Sequence, residues 1–203
     1  MDKVFAFSVA RKDTIIFVWK IVYLLFVIFL FLGSRSIYLV DDASLWFYKT
    51  GVWAGRAALV FFVITSLPGM ARRFDIRHKF FSLLMIFRRY LGITTYLLAL
   101  MHASFVRLVS LLAGFEPWFP RPLFEMFGTV ALALLFPLFL TSNDRSVARL
   151  GVWWQRMHNL FYLIMWLIFA HAAIQRVSIW SVLIGMTGIA EIMSFVWARR
   201  SKV

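Results

Sequence analysis

Of the four histidines in this sequence, two stand well inside long apolar stretches. A polar side chain in lipid is costly and usually faces the bundle interior for a reason, so His102 and His171 are the first candidates for chemistry. His102 lies thirteen residues past Arg89, a helix rise of ~20 Å from that basic boundary. His171 lies thirteen residues past His158 and reaches a matching height. Two neutral imidazoles at one depth on neighbouring helices suit bis-histidine ligation of a porphyrin iron, which leaves the iron no open position and favours electron transfer. The competing reading is two buried histidines bonded to nearby carbonyls or to one another. Zinc fits less well, because no carboxylate or further histidine sits at that height. Cysteine is absent, which excludes disulfides, thiolate metal sites, cysteine-ligated clusters and a covalently attached heme.

His158 stands at the other level, and the corresponding end of the helix that bears His102 offers Arg88 instead of histidine. The fourteen-residue step from Arg88 to His102 closes to within ~40° on an ideal helix, so Arg88 occupies the place of an inner ligand. Its plainer role is a charged anchor at the membrane face. His158 has three readings: an interfacial residue, a ligand of a second heme, or part of a quinone or flavin site. The thirteen residues between His158 and His171 leave them ~140° out of phase on a regular helix. Either that helix contains a π-bulge or bend, or the two histidines serve different environments. His78, between Arg77 and Lys79, is expected to be solvated or docked against a partner.

The elements that position these residues are transmembrane helices. The 203 residues are 63% hydrophobic and 15% charged, far from the usage of a soluble domain. Apolar runs near 14–32, 52–70, 90–113, 126–141, 157–176 and 178–198 are long enough to span lipid, and only helices satisfy their backbone there. The expected fold is an all-α six-helix bundle in one membrane domain, with Gly33-Ser34, Pro68-Gly69, the stretch 117–122 and Ser142-Asn143-Asp144 at its breaks. The fourth run is the shortest and contains Pro137. The first is longer than a signal peptide's apolar region and lacks a clear cleavage site, so an uncleaved span is expected.

A net charge of +13 invites a nucleic-acid reading, but the basic residues cluster between spans and follow topology. Fifteen of the twenty-two Lys and Arg fall on one side: Lys3, Arg11, Lys12; Arg72, Arg73, Arg77, Lys79, Arg88, Arg89; Arg145, Arg149, Arg156; Arg199, Arg200, Lys202. The positive-inside rule puts that side, and both termini, in the cytoplasm. Trp46, Trp53, Trp118 and Trp180 then mark the outer interface, and Trp153, Trp154 and Trp197 the inner one. The basic stretch 71–89 also suits anionic lipid or an electron donor.

Three segments carry a resemblance: Gly55-Arg56; Arg88-Arg89-Tyr90-Leu91-Gly92 with His102; and Trp154 through Tyr162 with His171. Together they resemble the ferric-reductase-like transmembrane family over residues 45–176, and within it the heme-binding membrane subunits of periplasmic methionine-sulfoxide reductase systems. The resemblance implies heme b between His102 and His171, with one heme expected and a second open. His158 matches the inner ligand of span five, and Arg88 stands where the family's inner histidine would be. It also implies that the thirteen-residue step is a family property.

No glycine-rich dinucleotide fingerprint follows a strand, so electrons are expected from a separate cytoplasmic flavin reductase or from quinol, with FMN or quinone near the cytoplasmic side. The implied acceptor is a periplasmic oxidoreductase, by analogy a molybdopterin-containing methionine-sulfoxide reductase. The chain then reads as an electron-transfer subunit of the bacterial inner membrane. The alternatives are a stand-alone ferric or quinone reductase and a heme-free scaffold or transporter.

Among the remaining polar residues, Arg56, Arg107 and Arg176 lie near the outer boundary, where a guanidinium can pair with heme propionates. Arg56 is favoured. Arg107, five residues past His102, points ~140° away on an ideal helix and suits interface anchoring better. Glu191, deep in the sixth span, is expected to pair with a nearby Lys or Arg rather than serve proton or quinone chemistry.

Overall fold

The computed structural model describes residues 1–36, 43–108 and 121–200. Trp118, Lys202 and the end of the third expected span lie outside these residues. Among the described residues six helices are long and apolar enough to cross a membrane: Lys12–Gly33, Leu45–Arg73, Lys79–Arg107, Leu123–Leu140, Val152–Gln175 and Ile179–Arg200. No strand occurs among the described residues. The protein is an all-α, multi-pass membrane protein, as its apolar runs require. The chain divides into two compact units, Met1–Pro117 and Trp118–Val203.

The first unit contains α1 (Asp2–Ala10), α2 (Lys12–Ser36), α3 (Ala43–Arg73), α4 (Lys79–Ala103) and a π-helical turn at Ser104–Leu108. Helix α3 packs mainly on α4 and on the π-turn. Helix α2 meets α4 along one narrow seam. Trp19 stacks on Tyr90 with ring centroids 5.3 Å apart, and the Tyr23 hydroxyl donates to the Tyr90 carbonyl at 2.6 Å. Phe26 and Leu30 then cover a buried cluster of Phe47, Ala54, Met101 and Phe105. Positions 19, 23, 26 and 30 recur on one helix face, Gly33 is buried against Phe47 and Phe105, and most other residues from 17 to 32 are exposed, as suits a lipid-facing span. A salt bridge from Lys79 Nζ to Asp2 Oδ1, 2.6 Å long, links the start of α1 to the start of α4.

Two expected breaks are continuous helix. Helix α3 runs through Pro68-Gly69 to Arg73, and α2 runs past Gly33-Ser34 to Ser36. In hydrocarbon an open backbone is so costly that helices persist through proline where neighbouring groups compensate. The carbonyl left without a helical partner by Pro68 is that of Ile64; the nearby Thr65 and Ser66 hydroxyls donate to the carbonyls of Phe61 and Val63 just before it. Helix α4 begins eleven residues before the expected 90, so Arg88 and Arg89 lie within it rather than at its mouth. Long cationic side chains permit this because their stems lie on apolar surface.

The second unit contains α5 (Leu123–Leu140), α6 (Asp144–Leu150), α7 (Val152–His158), α8 (Leu160–Gln175) and α9 (Ile179–Arg200). Helix α8 is its centre, packing on α5 and on α9. Small residues on α9 allow close approach, as is usual between membrane helices. A Cβ added at Gly185 would lie 2.9 Å from the Phe169 ring, and one at Gly188 3.1 Å from Trp166. Asn143 caps α6, its side-chain oxygen accepting from Ser146 N at 2.9 Å. Gly151 separates α6 from α7 with φ +52°, a conformation that glycine adopts without a Cβ penalty.

Candidate functional site

His102 is half-buried near the end of α4, just before the π-turn. Its Nδ1 lies 2.9 Å from the carbonyl oxygen of Gly51 on α3. A carbonyl can only accept, so Nδ1 carries the proton, and a neutral imidazole then keeps its lone pair on Nε2. Close approach of the ring depends on Gly55, one turn after Gly51, where a Cβ would lie 2.7 Å from the same Nδ1. Gly51 meets Val106 and Phe105 of the π-turn, 2.9 and 3.0 Å from where its Cβ would be. The Gly51-x-x-x-Gly55 pair thus seats both the histidine and the wide turn behind it.

His171 on α8 is held in the same way within the second unit. Its Nδ1 lies 2.7 Å from the carbonyl oxygen of Phe124 on α5. Four residues on, a Cβ at Gly128 would lie 2.7 Å from that nitrogen. In both units a carbonyl at one position and a glycine four residues later receive the Nδ1 edge of a histidine from the neighbouring helix. Such a bond to the outer nitrogen is what orients a metal-binding imidazole and raises its basicity.

His158 is held differently. Its Nδ1 bonds the Trp154 carbonyl of its own helix at 3.1 Å, and its ring stacks on the Trp154 indole at 3.9 Å between centroids. The helix breaks directly after it: α7 ends at His158 and α8 begins at Leu160, with Asn159 between them. This interruption lies between the two out-of-phase histidines, at the His158 end, and Asn159 keeps φ −68° and ψ −16°. The π-helical segment of the structure instead follows His102.

Arg56 is half-buried with its guanidinium 4.9 Å from the Trp53 ring centroid, a cation–π contact. Arg88 is half-buried within α4 and Arg176 is exposed past the end of α8. The ~140° offset expected for Arg107 assumes an ideal helix. Arg107 lies in the π-turn, where a turn closes about one residue later, and its Nε is excluded from solvent. His78 caps the start of α4, accepting from Phe80 N at 3.2 Å. Glu191 is buried, with the Ser194 hydroxyl 2.7 Å from its carbonyl oxygen and 3.5 Å from Oε2. No group of three or more His, Asp or Glu able to hold a metal ion occurs among the described residues.

Sequence reasoning missed Gly51, Gly128 and the acceptor carbonyls. It also placed Trp154 among simple interfacial anchors. Its indole N–H instead donates to the Thr141 carbonyl at the end of α5, 2.9 Å away.

The architecture defines a multi-pass helical membrane protein with two imidazoles, each engaged at Nδ1 by the main chain of a neighbouring helix. Residues 54–169, more than half of the chain, match the family described as ferric reductase like transmembrane component. The chain belongs to that family. The matched segment includes His102 and His158 and closes two residues before His171.

Among curated proteins the chain is similar to those named protein-methionine-sulfoxide reductase heme-binding subunit MsrQ from Brucella ovis and Brucella canis. Each is 30% identical over 137 residues, covering 66% of this chain and 58% of the relative. The namesake from Brucella melitensis is 29% identical over the same length. The chain thus spans less than two thirds of the relatives it matches. No solved structure matches it.

Proposed function

We propose that this protein is a membrane electron-transfer subunit that carries heme b on Nε2 of His102 and His171. It would pass electrons from a cytoplasmic flavin reductase or quinol to a periplasmic oxidoreductase. The observation that carries the reading is the family match over residues 54–169 together with the heme-binding name of the relatives; the two histidines, whose Nδ1 atoms lie 2.9 and 2.7 Å from main-chain carbonyls of adjacent helices, are compatible with it. Each ring is thereby engaged at Nδ1, which leaves Nε2 as the nitrogen to ligate, and the two glycines provide the clearance that ring-to-helix packing needs. Nitrogen donors without thiolate or carboxylate fit a b-type heme. When bound, heme iron supplies a one-electron couple. The protein's part is to fix the ligands, exclude water and surround the couple with apolar side chains.

The names of the Brucella relatives support a methionine-sulfoxide reductase as the acceptor, and the bacterial inner membrane is the proposed location. The distribution of Lys and Arg supports cytoplasmic termini. Arg56 is the proposed propionate partner. Arg88 and His158 form the proposed inner level, where a second heme, FMN or quinone would exchange electrons with the donor.

The test is the absorption spectrum of the purified protein. A Soret band and a reduced b-type α-band are expected, and His102→Ala and His171→Ala should each remove them. An unchanged spectrum in both variants would sink the assignment.

A further inference from the structure

The two clamped histidines share a feature that neither their identity nor their depth requires. Gly51 and Gly55 stand on α3, Phe124 and Gly128 on α5, so carbonyl and glycine are four residues apart in each case. In an α-helix the carbonyl at i faces the N–H at i+4. A ring that reaches the carbonyl must therefore lie against residue i+4, and there a Cβ is the obstacle. The ring atoms nearest the added Cβ at Gly55 are Nδ1, Cγ and Cε1, at 2.7, 2.9 and 3.0 Å. At Gly128 they are Nδ1, Cε1 and Cγ, at 2.7, 2.9 and 3.3 Å. An imidazole sits one carbon from its own backbone and cannot swing aside as the tip of a long side chain can. Of the other close glycines, 33, 185 and 188 meet aromatic rings and Gly51 meets Val106 and Phe105, none of them a histidine, and Gly92 has nothing within 4 Å.

We infer that Gly55 and Gly128 are positioning residues that hold His102 and His171 in the Nδ1-protonated tautomer and in a set ring plane. Their role in tuning a bound heme rests on the reading above; their role in setting the tautomer does not. Adding a methyl at either glycine pushes the ring off its carbonyl and removes the acceptor that holds the proton on Nδ1. Neutral imidazole without that acceptor reverts toward its Nε2-protonated form, which cannot donate to iron until the proton moves. Losing the Nδ1–H bond also makes the ligand less electron-donating, which favours ferrous over ferric iron and raises the reduction potential.

The experiment uses the full chain in lipid nanodiscs with 15N-labelled histidine, each signal assigned with single His→Gln variants. Without heme, at a pH where the rings are neutral, His102 and His171 should carry their proton on Nδ1 rather than on Nε2. Gly55→Ala should change His102 alone and Gly128→Ala His171 alone, while Gly185→Ala, an equally tight packing change elsewhere, should change neither. After hemin loading, both clamp variants should shift the low-spin ferric electron paramagnetic resonance g values and raise the midpoint potential, with Gly185→Ala remaining at wild type. Wild-type signals in both clamp variants, or equal shifts in Gly185→Ala, would overturn the inference. Where a variant fails to fold, the wild-type spectrum still decides, because Nε2-protonated His102 and His171 are incompatible with it. A wild-type chain that has the stated tautomers yet takes up no hemin supports the clamp and sinks the heme reading alone.

Discussion

The Trp154 indole lies almost parallel to the His158 imidazole, 24° between planes and 3.9 Å between centroids. The same indole donates its N–H to the Thr141 carbonyl across the connection from α5. One side chain thus closes a helix end and fixes the histidine nearest the break at Asn159. Trp154→Phe keeps a ring and loses the hydrogen bond, with an expected destabilisation of about 1 kcal/mol. Trp154→Ala loses both and should cost about 2–3 kcal/mol, below a fully buried Trp→Ala because the residue is half-exposed. Thermal unfolding in one detergent ranks the three proteins; a Phe variant as unstable as the Ala variant would show that the ring contributes little.

His158→Ala separates the two proposed levels. Heme on His102 and His171 should persist, so heme stoichiometry by pyridine hemochrome is expected to fall only if a second heme is present. Loss of all heme in this variant would move the site to the inner level.

Tyr23 is the polar point of the α2 seam, bonding the Tyr90 carbonyl at 2.6 Å and lying 3.0 Å from the Thr94 hydroxyl. Measured inter-helix hydrogen bonds in membranes average about 0.6 kcal/mol and reach about 1.7. Tyr23→Phe should fall in that range with little change in heme content, read as a lowered unfolding midpoint beside an unchanged Soret-to-protein ratio. A loss above about 3 kcal/mol would mean that the hydroxyl does more than join α2 to α4.

Two glycines on different helices give opposite signs. Gly185→Ala drives a methyl into the Phe169 ring and should cost about 1–3 kcal/mol. Gly92→Ala meets open space, and alanine's better helix propensity should stabilise it by up to about 1 kcal/mol. Chemical denaturation midpoints read both, and a stabilised Gly185→Ala would show that α8 and α9 have slack at that contact.

The six spans and the two deep histidines were legible because long apolar runs and isolated polar residues within them are one-dimensional signals. Packing faces were not. A soluble helix shows its buried side as an apolar stripe, but α8 and α9 are apolar nearly all round, with lipid and protein equally content with Leu or Phe. Small and polar residues distinguish the contact side, with Gly185, Thr187, Gly188, Glu191 and Ser194 buried on α9, which is why they carry information that Leu163 and Ile192 do not. Helix ends blurred for a related reason: Phe80, Phe81, Leu83 and Leu84 continue the apolar pattern past Arg88 and Arg89, so charge marks a membrane face without marking the end of α4. The π-turn after His102 and the break at Asn159 had no composition of their own. The spacing of His158 and His171 made a phase offset legible, and the interruption at Asn159 falls one residue past His158.

The clamp on each histidine has an acceptor that every amino acid possesses. Positions 51 and 124 hold Gly and Phe, residues of opposite bulk, yet each offers the same oxygen to its imidazole. Drift at position 124 would leave the contact intact, whereas the partner positions 55 and 128 record it by lacking a side chain. A search for such ligand supports in other membrane sequences should therefore follow what a helix omits one turn beyond the contact rather than the residue that makes it.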